Sequence, residues 1–145
     1  SVSVDQDRST TSTTRADITD LTVTVTGLIS SDKVLLTGLV SLGQDTSTFH
    51  SFIHLDRGGT EIGQGASQGS RRRVHTGANP TNNVVDGVAI NYLDSPSATG
   101  SVVYKVQFSA ESGSTAYVNR SGSDSNNANH MRSLCTLTAL VIDGS

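Results

Sequence analysis

Cysteine occurs once in this 145-residue chain, tryptophan not at all, and phenylalanine and tyrosine three times each. The single thiol, Cys135, excludes an internal disulfide and fits synthesis in a reducing compartment. It stands in "SLCTLTALVID", where a small buried core residue is expected. Charged residues make up 16% of the chain and sum to a net charge of −3. A general nucleic-acid binder needs a basic face to neutralise phosphates, so that class is excluded. No run approaches the ~18 apolar residues of a membrane-crossing helix, and the start lacks a charged-then-apolar leader. A Gly-rich phosphate loop and a paired-carboxylate motif are both missing. The hydrophobic fraction, 34%, is low against the roughly 45–50% apolar content of an ordinary globular chain, a figure that also counts Gly. A chain of this length forms one domain, and its thin apolar content points to a subunit interface that supplements the core.

What the chain has in quantity is period-2 alternation. "LTVTVTGL" sets Leu21, Val23 and Val25 against Thr22, Thr24 and Thr26, a strand with one wet face. "SSDKVLLTGLVSLG" is apolar on both faces through Val34, Leu35, Leu36, Leu39 and Val40, so it belongs inside a sandwich or under a neighbouring subunit. In "TFHSFIHLDRGGTEIGQGA", Phe49, Ile53 and Leu55 share one face and His50, Phe52 and His54 the other. The residues Asp56-Arg57-Gly58-Gly59 supply a hairpin turn. "VVDGVAINYLD" is a further strand. "SVVYKVQFSAESGSTAYVNRSG" reads as two strands about a turn at Glu111 to Ser114, and Leu134 to Ile142 closes the series. No segment carries a helical apolar period. The expected fold is an all-β antiparallel β-sandwich or jelly roll. Residues 1–16, polar apart from Val2 and Val4, are expected to form an extended N-terminal arm ahead of a jelly-roll domain at 17–145.

Several residues invite a chemical reading. His50 and His54 would share a metal ion on a helix, but on a strand they stand ~13 Å apart, so no metal is expected. Arg71-Arg72-Arg73 is the one charge run and is suited to acidic protein or to a phosphate- or sulfate-bearing ligand; a solvated loop is the plainer reading. Asn119-Arg120-Ser121 is formally a glycosylation sequon. Asp86, Asp94 and Asp124 lack the dense spacing of a calcium loop. No Ser, His and acid can be placed together from sequence, and no cofactor or catalytic residue is expected.

The segments "TDLTVTVTGLISSDKVLLTGLVSLG", "IHLDRGGTEIGQG", "NYLDSPSATGSVVYKVQFSAESGSTAYVNRSGSD" and "LCTLTALVID" together resemble a family of small all-β domains of tailed-bacteriophage virions. Such domains form tail-fibre heads and capsid decoration proteins. The likeness runs from about Asp17 to Asp143. The turn departs from the family's more usual Arg-Asp-Gly order, and the Arg run is not a family feature. The resemblance implies a tumour-necrosis-factor-like jelly roll, usually a homotrimer, with no catalytic residues. The expected role is a capsid decoration, or cement, protein on the outer capsid surface, made in the host bacterial cytoplasm and bound to the phage major capsid protein. The alternative is a receptor-binding tail-fibre head that recognises host surface glycan or protein, with neither nucleic acid nor membrane as partner. The capsid-binding arm is assigned to Val2, Val4, Asp5 and Arg8, the trimer interface to Val34, Leu36, Val40, Phe52 and His54, and a partner loop to Arg71, Arg72 and Arg73.

Overall fold

In a computed structural model that describes residues 1–145, every regular element is a strand and every pairing is antiparallel. The strands are β1 (Val2–Val4), β2 (Arg8–Thr10), β3 (Ala16–Leu28), β4 (Lys33–Gln44), β5 (Ser51–Arg57), β6 (Thr60–Ile62), β7 (Thr76–Ala78), β8 (Asp86–Asp94), β9 (Gly100–Ala110), β10 (Ala116–Val118) and β11 (Cys135–Ile142). The six-stranded sheet centres on β4. β8 pairs along one edge of β4, while β11 and β10 lie end to end along the other. The five-stranded sheet runs β3-β9-β5, with β6 and β7 sharing the outer edge of β5. From β2 onward the chain passes repeatedly between the two sheets, the wiring of a jelly roll.

Alternation explains which side chains meet. Leu21 and Val25 of β3, Ile53 and Leu55 of β5, and Tyr104, Val106 and Phe108 of β9 project inward from the five-stranded sheet. Leu36, Val40, Val88, Ile90 and Leu137 project inward from the other, and together they form one apolar cluster. The β5–β6 turn is as the sequence implies: Arg57 pairs with Thr60, and Gly58 and Gly59 both have positive φ, 55° and 93°. Two successive left-handed residues make the tight turn whose twist matches the flanking strands, and the Asp56 carboxylate accepts from the Gly59 N–H at 2.9 Å.

Three expectations are corrected. First, residues 1–16 do not project from the domain. β1 pairs with β11 and β2 with β10, so Val2, Val4 and Arg8 lie on the domain's own sheet and Val4 is buried in the core. Asn119 pins the intervening bend by donating from Nδ2 to the Val4 and Gln6 carbonyls at 2.7 and 3.0 Å. Without this segment β10 and β11 would present an open edge. Second, Val34, Leu36 and Val40, assigned to a trimer interface, are fully buried by their own chain. They share the inward parity of β4, and the outward parity belongs to Leu35 and Leu39. Phe52 and His54 lie on the other sheet altogether, so the assigned set forms no single surface. Third, β9 and β10 are not a hairpin. Both edges of β9 are occupied, by β3 and β5, so the chain crosses after Ala110 and β10 joins β4 and β2 instead.

Candidate functional site

The two outer faces of the sandwich differ in chemistry. On the six-stranded sheet the registers place Leu140, Leu35 and Leu93 directly opposite one another on β11, β4 and β8. Neighbouring rows are Thr138-Thr37-Asn91 and Thr136-Leu39-Ala89, with Ile142 facing Lys33 at the end. Residues opposite one another in a ladder point to the same side, so these rows make one surface whose only charged side chain is Lys33. Leu39, Leu93, Leu140 and Ile142 are 44–52% exposed, and nothing in the chain covers them. At the end of the sandwich Val141 and Ile29 are also exposed, at 48% and 46%, but Val141 lies opposite Val34 and so points to the other side of the sheet from Leu140.

The outer face of the five-stranded sheet is polar and covered in part by the 63–75 loop. His54 is buried there: Nδ1 meets Glu61 Oε1 at 2.6 Å and Nε2 meets Ser109 Oγ at 2.9 Å. Burial pushes the His54 pKa below its usual range, against the pull of the Glu61 carboxylate. Arg15 reaches both Asp56 and Glu61 at 3.6 Å. Ser109, His54 and Glu61 thus stand in the order of a nucleophile, base and orienting acid, a juxtaposition the sequence does not reveal. A triad also needs an approachable hydroxyl and free donors for an oxyanion. Ser109 is fully buried, Arg72 approaches its Oγ at 3.4 Å, and the next N–H, on Ala110, is spent on the Ser12 carbonyl at 2.8 Å. The cluster therefore joins three strands and a loop and leaves no room for a carbonyl substrate.

The remaining candidates separate. His50 stands apart from His54 and is paired with Glu111 at 2.8 Å, so the two rings share no ion. Asp94 lies buried with Arg57 and Tyr104, while Asp124 is paired with Arg132 at 2.7 Å. Asp86 joins neither, lying opposite Leu42 at the start of β8. Asn119 is fully buried with its amide committed, so the sequon presents no acceptor. Cys135 is a core residue as expected. Its Sγ donates to Asn119 Oδ1 at 2.9 Å, and burial pushes the thiol up to about 11.

The Arg run is the one cluster of cations without carboxylate partners, Arg8 and Lys33 being isolated. Arg15, Arg57, Lys105, Arg120 and Arg132 each face a carboxylate. Arg71, Arg72 and Arg73 face none. Arg72 lies over the Phe52 ring, 4.7 Å from its centroid, and donates from Nη1 to the Thr13 carbonyl at 2.8 Å. Arg73 donates from Nε to the Gly65 carbonyl at 2.9 Å. Between Arg71, Arg72, Phe52, His50 and Glu111 lies an open depression of about 550 Å³.

No family model matches the chain, and no curated protein matches it. Among solved structures the chain is similar to one described as "Structure of infectious bursal disease virus Gx strain", at 13% identity and a TM-score of 0.40. The match covers 97% of this chain and 35% of the other, so the chain spans about a third of that protein's length. A likeness so distant carries no argument about function.

Proposed function

We propose that the protein is a structural component of a bacteriophage virion, a homotrimer that sits on the outer capsid shell and clamps the major capsid protein beneath it. One observation carries this reading: the uncovered apolar face Leu140-Leu35-Leu93, with Leu39 and Ile142 beside it. A contiguous greasy face of this kind marks an interface, and three copies around an axis would cover it. Three strands at ~4.8 Å spacing and the run Lys33 to Leu39 at ~3.4 Å per residue give a face of about 340 Å². A standard contact takes about 800 Å² from each partner, so the trimer contact extends past these rows.

The shell contact fits the β1–β2 edge of the same sheet. β1 and β2 are paired on one side only, so a strand of the capsid protein can add along Val2 to Thr10, beside Asp5 and Arg8. Three such edges acting together raise the effective concentration. A second reading, a tail-fibre head that recognises a host surface receptor, is favoured by the Arg71 to Arg73 loop with its lack of acidic partners.

Sedimentation of the purified protein and of the variants Leu35→Asp and Leu140→Asp tests the trimer. The expected result is a trimer that dissociates on either substitution while the fold persists. A monomer at high micromolar concentration, unchanged by Leu35→Asp, would remove the reading. Copy number per purified particle then separates the two locations: hundreds of copies mean shell, a handful mean tail.

A further inference from the structure

We infer that the depression beside Arg71 and Arg72 is a binding site for an acidic saccharide, a sugar unit bearing a carboxylate or a sulfate ester. It lies on the five-stranded sheet, away from the apolar face proposed to assemble the protein, and it stands whether or not that assembly occurs.

In a chain of net charge −3, five basic side chains are paired with carboxylates; Arg8 and Lys33 are isolated unpaired cations, whereas Arg71, Arg72 and Arg73 are three consecutive ones. Arg72 is also held in place. Its Nη1 donates to the Thr13 carbonyl at 2.8 Å and shares its other hydrogen between the Ala110 carbonyl and Ser109 Oγ, both at 3.4 Å, and its guanidinium carbon lies over the Phe52 ring. His50 stacks beside the same ring, with centroids 6.0 Å apart. Neutral acceptors fix the guanidinium without cancelling its charge, and the Nε and Nη2 donors remain for a ligand. A preorganised planar fork of this kind matches a carboxylate or a sulfate. Arg71, exposed on the rim, adds a second cation.

The opposite rim selects among anions. Glu111 lines the depression, and its Oε2 already accepts from the His50 N–H at 3.0 Å and meets the His50 ring at 2.8 Å. Those bonds hold its carboxyl below the usual range, so Oε1 offers a charged acceptor to a hydroxyl. A uniformly charged polymer would be repelled there. A sugar with one acidic group and several hydroxyls satisfies both rims, and about 550 Å³ falls within the range of small-ligand pockets.

The test uses the full chain and four probes at equal concentration: a uronate oligosaccharide, a sulfated oligosaccharide, a neutral oligosaccharide of the same length, and polyglutamate matched in charge. Calorimetry should show binding of at least one acidic saccharide, with roughly tenfold loss in Arg71→Gln, the scale of one charged hydrogen bond. Arg72→Lys, which keeps the charge and loses the fork, should also weaken binding, with thermal unfolding run on each variant to confirm the fold. The stronger of the two acidic saccharides identifies the source of the anion. Binding of polyglutamate as tightly as the saccharides, with the same loss in Arg71→Gln, would overturn the proposal in favour of an acidic protein partner. Absence of saccharide binding at millimolar concentration, or binding unchanged in Arg71→Gln, would also overturn it.

Discussion

Asp94 should couple the two sheets, and its removal should cost more than its position at a strand end implies. Its carboxylate is buried on β8 of the six-stranded sheet. It accepts from Arg57 Nη1 at 2.9 and 3.1 Å and from the Tyr104 hydroxyl at 2.7 Å, both donors belonging to the five-stranded sheet. Asp94→Ala leaves the Tyr104 hydroxyl buried without an acceptor, a loss of about 1–3 kcal/mol. Arg57, whose side chain is 29% exposed, can turn to water, so its share is only about 1 kcal/mol. The sum is about 3 kcal/mol, a fall in Tm of about 6–12 °C for a chain this size. Tyr104→Phe keeps the Arg57 pair and should cost about 1.5–2 kcal/mol. In the double variant no orphaned hydroxyl remains, so its cost should fall short of the sum by about 1–2 kcal/mol. Urea unfolding followed by circular dichroism at neutral pH measures all three. Additivity of the single losses within about 0.3 kcal/mol, or an Asp94→Ala cost below 1 kcal/mol, would refute the coupling.

Other expectations are as direct. The fold holds His54 neutral, its pKa lowered by burial, so its contribution is present above the unfolded value near 6.5 and is lost as pH falls below it. Urea midpoints at pH 7.5 and 5.5 should therefore converge less for the wild type than for His54→Gln, and equal shifts in both proteins would count against it. Cys135, fully buried with its thiol near 11, should react with an aromatic disulfide reagent only at the rate of unfolding; fast labelling in native buffer would contradict that placement. Gly38→Ala should destabilise strongly, because a β-carbon there collides with the Thr136 carbonyl oxygen, and a Tm within 2 °C of wild type would show that the β4–β11 approach is looser than drawn. Deleting residues 1–10 should expose the β10–β11 edge and lower Tm through loss of Val4 burial. Unchanged stability would return the segment to the role of a free arm.

Alternation in the sequence determined that the chain is built of strands, that β3 and β11 each turn one face to the core, and that Gly58-Gly59 closes the β5–β6 turn. It also determined that β4 is apolar on both sides. These are local properties, set by side-chain period and by the φ values a residue tolerates. The inward face of β4 was legible too, since Val34, Leu36, Val40 and Leu42 share one parity while Lys33, Thr37 and Ser41 interrupt the other, but only the tertiary structure decided that no element of the chain covers Leu39. The same holds for β10, which joins the far sheet because β9 has no free edge, and for residues 2–10, which β10 and β11 capture as an edge strand. The Arg run was visible in the sequence, but the missing carboxylate and the Phe52 ring beneath Arg72 were not. Residues 109, 72, 54 and 13 come together only when strands far apart in sequence share a sheet, and no pattern along the chain encodes who the neighbours across it will be.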